Sequence, residues 1–164
     1  MRYLLLIILF TNTLWGQTMQ ELSNRDKVKY FFDKLSMENM KLVDEFYHAE
    51  VQFVDPVGEV RGAAKMKKYY ENMYQNVKEL RFDFSEFHES GDTVVGVWKM
   101  ILKTDKLKGG EEIVVDGNSV IKFDATGKAV YHRDYFDMGA FVYENIPVVG
   151  YVIRNIKARF KVEE

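Results

Sequence analysis

Between Leu80 and Phe136 apolar residues recur at every second position in successive runs, and that period commits the chain to a sheet with one greasy face. Leu80 to His88 alternates around Phe82 and Phe84. Thr93 to Lys103 puts Trp98, Met100 and Leu102 on one face and Lys99 and Lys103 on the other. Glu112 to Phe123 groups Ile113, Val115, Gly117, Ser119, Ile121 and Phe123 opposite Asp116, Asn118 and Lys122. The hairpin turn Asp124-Ala125-Thr126-Gly127 leads into a last strand, Lys128 to Phe136. There Val130, His132, Asp134 and Phe136 share a face, and Tyr131, Arg133 and Tyr135 share the other.

A sheet of this kind needs a cover, and the upstream segment can supply it. Ser23-Asn24-Arg25-Asp26 reads as a helix cap, followed by Val28, Phe31, Phe32 and Leu35 at helical spacing. Met40, Val43 and Phe46 continue on a second short helix after Ser36. Val51, Phe53 and Asp55 alternate with Gln52 and Val54 on a short strand, and Gly62 to Val77 reads as a third helix. The predicted class is α+β: a cone-shaped, curved antiparallel sheet wrapped round N-terminal helices, with a cavity at the wide end and a C-terminal helix. That last helix spans Ala140 to Phe160, with Pro147 in a first turn and an apolar stripe of Val149, Val152, Ile153 and Ile156. Arg154, Lys157, Arg159 and Lys161 form a basic face toward its C-terminal end. A helix docked on the domain is the plain expectation. A lid, a dimer contact or a membrane-surface contact are the sharper ones.

Composition narrows the function. A chain of 164 residues suits one domain, and 15% aromatic residues suffice both for a core and for a cavity wall. A formal net charge of −2 gives no global basic field for nucleic acid. With no cysteine, neither a disulfide nor a thiolate site can form. The histidines are scattered without a ligand spacing, so neither a metal nor a cofactor is expected. Met1-Arg2, the apolar run Tyr3 to Phe10 and the following Thr11 to Gln17 match a secretory signal. The expected division is therefore a signal peptide over 1–17, a domain over 18–138 and a helical extension over 139–164. The expected location is periplasmic or secreted, with the cytoplasm as the alternative, and with no stable membrane insertion once the signal is removed.

Asp55-Pro56-Val57-Gly58 closes the first strand at the edge of the predicted cavity. A carboxylate there resists ionisation and can serve as a proton-transfer base. His132-Arg133-Asp134-Tyr135-Phe136-Asp137 ends the last strand, and the i, i+2 spacing puts His132 and Asp134 on one face as a candidate acid–base pair. The order of elements and the Asp55-Pro56-Val57-Gly58 run resemble the nuclear transport factor 2-like superfamily. That group includes ketosteroid isomerases, SnoaL-like polyketide cyclases, scytalone dehydratases and limonene epoxide hydrolases. The stretch from His132 through Gly139-Ala140, Tyr143-Glu144, Pro147, Gly150 and Ile153-Arg154 is similar to a bacterial SnoaL-like subgroup.

The resemblance implies site residues. Asp55 matches the proton-moving aspartate of ketosteroid isomerases, and Tyr30 falls at their first-helix oxyanion tyrosine. Ser119 takes the place of their second oxyanion donor, a protonated aspartate. Asp134 is a new carboxylate at a position that is small in those enzymes, and SnoaL-like cyclases likewise pair a carboxylate with a histidine. The expected catalytic set is Asp55, Asp134, His132 and Tyr30, with Ser119, Trp98, Met100, Phe136 and Phe53 lining the ligand. Two readings stay open. One is a cofactor-free isomerase, cyclase or dehydratase acting on a small apolar carbonyl compound. The other is a non-catalytic module that binds a ligand or forms a homodimer through the outer sheet face, where Val95, Val97, Ile101, Tyr131 and Tyr135 stand.

Overall fold

Ser23 accepts a hydrogen bond from the Asp26 amide and starts α1 (Asn24–Lys34), which buries Val28, Phe31 and Phe32. The computed structural model describes residues 19–75 and 77–162, so the expected signal segment lies outside the described residues. α2 (Lys41–Phe46) runs straight into β1 (Tyr47–Val54). The short β2 (Glu59–Arg61) folds back on β1, and α3 (Ala63–Tyr74) then crosses the sheet with Met66 and Tyr70 inward. β3 (Glu79–Ser90), β4 (Thr93–Lys103), β5 (Ile113–Phe123) and β6 (Ala129–Phe136) complete one six-stranded sheet in the order β2-β1-β6-β5-β4-β3.

The α+β class holds, with two refinements. β1 runs parallel to β6, so the sheet is antiparallel everywhere except at that pair. The register also shifts in three places, between Tyr47 and Gln52 on β1, between Phe84 and Glu86 on β3, and between Lys122 and Phe123 of β5 against β6. A bulge bends its strand and raises the local twist, which curls the sheet round the helices. The last of these shifts corrects the predicted alternation. Ala129, not Val130, pairs with Phe123 and is fully buried. Beyond the shift His132, Asp134 and Phe136 pair with Ile121, Ser119 and Gly117, as the period of two requires.

Aromatic rings fill the space between the layers. Phe31 stacks on Phe46 with centroids 4.3 Å apart, and Phe32 meets Phe82 and Phe84 edge-on. A smaller group forms round Trp98, Met100, Ile113 and Val115. Gly117 belongs to this packing: a Cβ there would meet the Trp98 ring at 2.3 Å, so only glycine lets the indole lie across β5.

The C-terminal segment departs from the predicted single helix. It breaks into α4 (Met138–Phe141), a 3-10 turn (Tyr143–Asn145) and α5 (Pro147–Ala158). Ile146 is extended, as a residue ahead of proline prefers, and the helix restarts at Pro147. α5 leaves most of its apolar stripe uncovered. Ile153 is half-buried, but Val149, Val152 and Ile156 are 40%, 51% and 49% exposed, and Gly150 is its only fully buried residue.

Candidate functional site

β6 delivers the centre of the site. Asp134 lines a small hollow between the layers, together with Phe53, Tyr69, Tyr70, Trp98, Phe136 and other apolar side chains. Of the residues expected to line a ligand, Phe53, Trp98, Met100 and Phe136 stand on its wall. The hollow measures about 40 Å³, enough for a few waters and far below the few hundred Å³ of a typical ligand pocket. Phe141 from α4 closes one side of it. A second hollow of about 210 Å³ lies beyond and shares Met73, Met100 and Phe141 as its partition.

Hydrogen bonds converge on one oxygen of Asp134. Trp98 Nε1 can only donate, so it gives its hydrogen to Ser119 Oγ at 2.9 Å, and Ser119 passes its own to Asp134 Oδ1 at 2.6 Å. From the other side His132 Nε2 lies 2.8 Å from the same oxygen. A carboxylate accepts there, so Nε2 carries the hydrogen and Nδ1 accepts from the Tyr47 hydroxyl at 2.6 Å. Tyr70 then donates to the Tyr47 oxygen at 2.8 Å. The chain thus runs one way from each end, Tyr70 to Tyr47 to His132 and Trp98 to Ser119. Asp134 Oδ2 takes part in neither bond.

Burial sets the character of the tyrosines. Tyr47 and Tyr70 are held well above the ordinary tyrosine range, by desolvation first, with the nearby Asp134 charge adding to it. For Tyr47, donation from Tyr70 pulls the other way. Tyr69 is also pushed up, by burial first and then by its hydrogen bond to Asp55. All three are neutral hydroxyls at working pH.

Asp55 occupies the turn after β1, one position beyond the Val54–Arg133 register pair and so beside Asp134 across the parallel strands. It is nearly buried, at 8% exposure. Its Oδ1 accepts from the Val57 and Gly58 amides, both at 2.8 Å, and Oδ2 accepts from the Tyr69 hydroxyl at 2.5 Å. It does not stand on the hollow's wall, and Tyr69 separates the two. The two acidic stretches therefore come together, but only Asp134 faces the cavity.

Three expected roles move. Tyr30 sits on the outer side of α1, 37% exposed and away from the wall. The helical period of Val28, Phe31, Phe32 and Leu35 already places Tyr30 on the opposite side, and only the family resemblance brings it into the site. Ser119 is fully buried and spends its hydroxyl on Asp134, so it backs the carboxylate instead of touching a ligand. His132 is likewise fully buried behind the wall. Tyr47, Tyr69, Tyr70 and Phe141 are the residues the sequence did not single out for the site. The signal was present for the first three: a tyrosine at a core position of a helix or strand must find a partner for its hydroxyl. Among the described residues no cluster of three or more His, Cys, Asp or Glu side chains is placed to hold a metal ion.

Residues 28–132 match the SnoaL-like domain. A search of curated proteins matched none. Solved structures with the same fold include a protein from Shewanella denitrificans named for its likeness to SnoaL polyketide cyclases. It shares 16% identity over 76% of this chain and 97% of its own, with a TM-score of 0.66. TerC, co-crystallised with polyporic acid, shares 21% identity over 72% of this chain and 94% of its own, with a TM-score of 0.62. A hypothetical protein with a ketosteroid isomerase-like fold from Catenulispora acidiphila, in complex with trimethylamine, shares 12% identity over 72% of this chain and 89% of its own, with a TM-score of 0.63.

Proposed function

The chain belongs to the SnoaL-like domain family, and on that premise we propose that it binds a small apolar carbonyl compound between helices and sheet and moves a proton on it without a cofactor. The observation that carries this reading is Asp134. It is a carboxylate on a greasy wall, with Oδ1 held by His132 and Ser119 and Oδ2 left for a substrate C–H. Fixing one oxygen from both sides orients the other, which is what a general base needs. Tyr69 is the donor to the carbonyl oxygen where negative charge develops. Its hydroxyl hydrogen turns from Asp55 Oδ2 to the ligand, and its raised pKa keeps it protonated throughout. Asp55 is a positioning residue in this scheme. The co-crystallisation of TerC, of the same fold, with polyporic acid supports a small organic molecule as the ligand class.

Deuterium exchange at the α-carbon of 2-tetralone in D2O, followed by proton NMR, tests the scheme. The protein should speed exchange, and Asp134→Asn should lower that rate by about 10²-fold or more while the chain stays folded by circular dichroism. Equal exchange by the two proteins would remove Asp134 from the chemistry. Binding of 2-naphthol, a planar enol, with no exchange in either protein would leave a ligand carrier instead of an enzyme.

A further inference from the structure

α5 is amphipathic, yet most of its apolar face lies away from the domain. The side against the 3-10 turn is the polar one. Gly150 packs so closely there that a Cβ would meet the Glu144 carbonyl oxygen at 2.2 Å. Arg154 Nη1 donates to that carbonyl at 2.8 Å. Lys157 pairs with Asp137 at 3.0 Å and with Glu144 at 2.5 Å. These contacts face the polar side of the helix to the 3-10 turn and leave Val148, Val152 and Ile156 outward, at 77%, 51% and 49% exposure, while Phe160 in the turn after the helix is 82% exposed.

An apolar arc left toward solvent costs free energy unless something covers it. The charge pattern says what does. From Pro147 to the end, the sequence carries Arg154, Lys157, Arg159 and Lys161 against Glu163 and Glu164. Asp137 and Glu144 engage Lys157, while Arg159 and Lys161 form no ion pair among the described residues. Those two cations flank the outward arc beside Phe160, the exposed aromatic. Valine, isoleucine and an aromatic on one side with flanking arginine and lysine is the pattern of a helix lying in the headgroup region of a bilayer. At 12 residues the helix is about 18 Å long, too short to cross. A second α5 would bring like charges together, which disfavours self-pairing, whereas acidic lipid complements them.

We propose that α5 and the turn after it form a docking element for the surface of an anionic lipid bilayer, seated through Val148, Val152, Ile156 and Phe160 with Arg159 and Lys161 on lipid phosphates. The test is sedimentation of the full chain with sucrose-loaded vesicles of phosphatidylcholine and phosphatidylglycerol, against phosphatidylcholine alone. Since Tyr3 to Phe10 is itself apolar, the α5 substitutions carry the decision. The wild type should pellet with the acidic vesicles and be released as salt rises. A Val152→Asp, Ile156→Asp variant should lose affinity for lipid by about tenfold or more, and so should an Arg159→Glu, Lys161→Glu variant. All four positions are exposed, so circular dichroism should show the fold intact. Variants that pellet as well as the wild type would overturn the proposal. So would a wild type that ignores acidic vesicles but falls to monomer mass in light scattering when Val152 and Ile156 are replaced, since that assigns the arc to a second copy of the chain.

Discussion

Asp134 shows how a polar group survives on an apolar wall. A buried donor or acceptor left without a partner costs about 1–3 kcal/mol, so the core has to answer each one. Here Trp98, Ser119, His132, Tyr47 and Tyr70 answer one another in series, and no fully buried side-chain nitrogen or oxygen among the described residues lacks a partner. The sequence made part of this legible. The i, i+2 spacing placed His132 and Asp134 on the inner face, and the structure puts both there. It did not reveal that Ser119 and His132 stand behind the wall, because alternation names a face and not a depth. The buried tyrosines give a signed prediction. Tyr47, Tyr69 and Tyr70 are all raised from the ordinary 10.0, chiefly by burial. The folded chain therefore keeps protons that the unfolded chain releases. Stability from this source is fully present below pH 10 and drains as pH climbs past it. Alkaline titration followed at once by 295 nm absorbance and near-ultraviolet circular dichroism should show these hydroxyls ionising only together with loss of tertiary structure. Ionisation of all ten tyrosines before any change in circular dichroism would contradict this.

At the level of elements, local chemistry was a good guide wherever one neighbour decided the outcome. The Ser23 cap, the Asp124–Gly127 turn and the bounds of β4 follow from a few adjacent residues. The bulge at Val130 was hidden, because one extra residue leaves the composition of a strand unchanged. The docking of α5 was hidden for another reason. An apolar stripe states that a helix has a greasy side, not which body covers it, and here polar contacts to Asp137 and Glu144 set the orientation. Those contacts can be titrated. The hydrogen bond from Lys157 lowers the Asp137 pKa from the ordinary 3.8, assisted by the Gly139 and Ala140 amides and opposed by desolvation. A depressed carboxyl stabilises the fold above its unfolded value and loses that effect as pH falls through the lower, folded one. In an acid titration by NMR, the Gly139 amide and the α5 signals should therefore move with a midpoint below 3.8, while β4 and β5 signals hold still. Lys157→Ala should bring the midpoint back up toward 3.8. A midpoint that ignores the substitution would show that Lys157 does not tether the helix.

Across the whole molecule, the two layers and the C-terminal segment together decide whether a ligand can get in. The class of fold was legible, since helices followed by alternating strands leave few ways to bury one greasy face. The state of the cavity was not, because it turns on a single ring from outside the sheet. Phe141 packs on Phe136 with centroids 5.6 Å apart and forms, with Met73 and Met100, the partition between the hollows of about 40 and 210 Å³. Neither hollow alone reaches the few hundred Å³ that a typical ligand pocket occupies. Joined through that partition, the space extends from Asp134 to the mouth lined by Leu80, Leu107 and Lys106. If the proposed ligand sits against Asp134, the small hollow has to widen, and Phe141 is a shared wall whose displacement would join it to the second hollow. Phe141→Ala removes the ring and should raise the association rate of 2-naphthol by about tenfold, for a barrier lowered by roughly 1.4 kcal/mol. The ring is only half-buried, so the loss in stability should be well under the ~3–5 kcal/mol of a fully buried Phe→Ala change. Stopped-flow fluorescence of the naphthol measures the first and denaturant unfolding the second. An unchanged association rate would mean that the molecule enters by another path, past Tyr69, which also lines a surface groove between β2 and α3 with Val60 and Lys65.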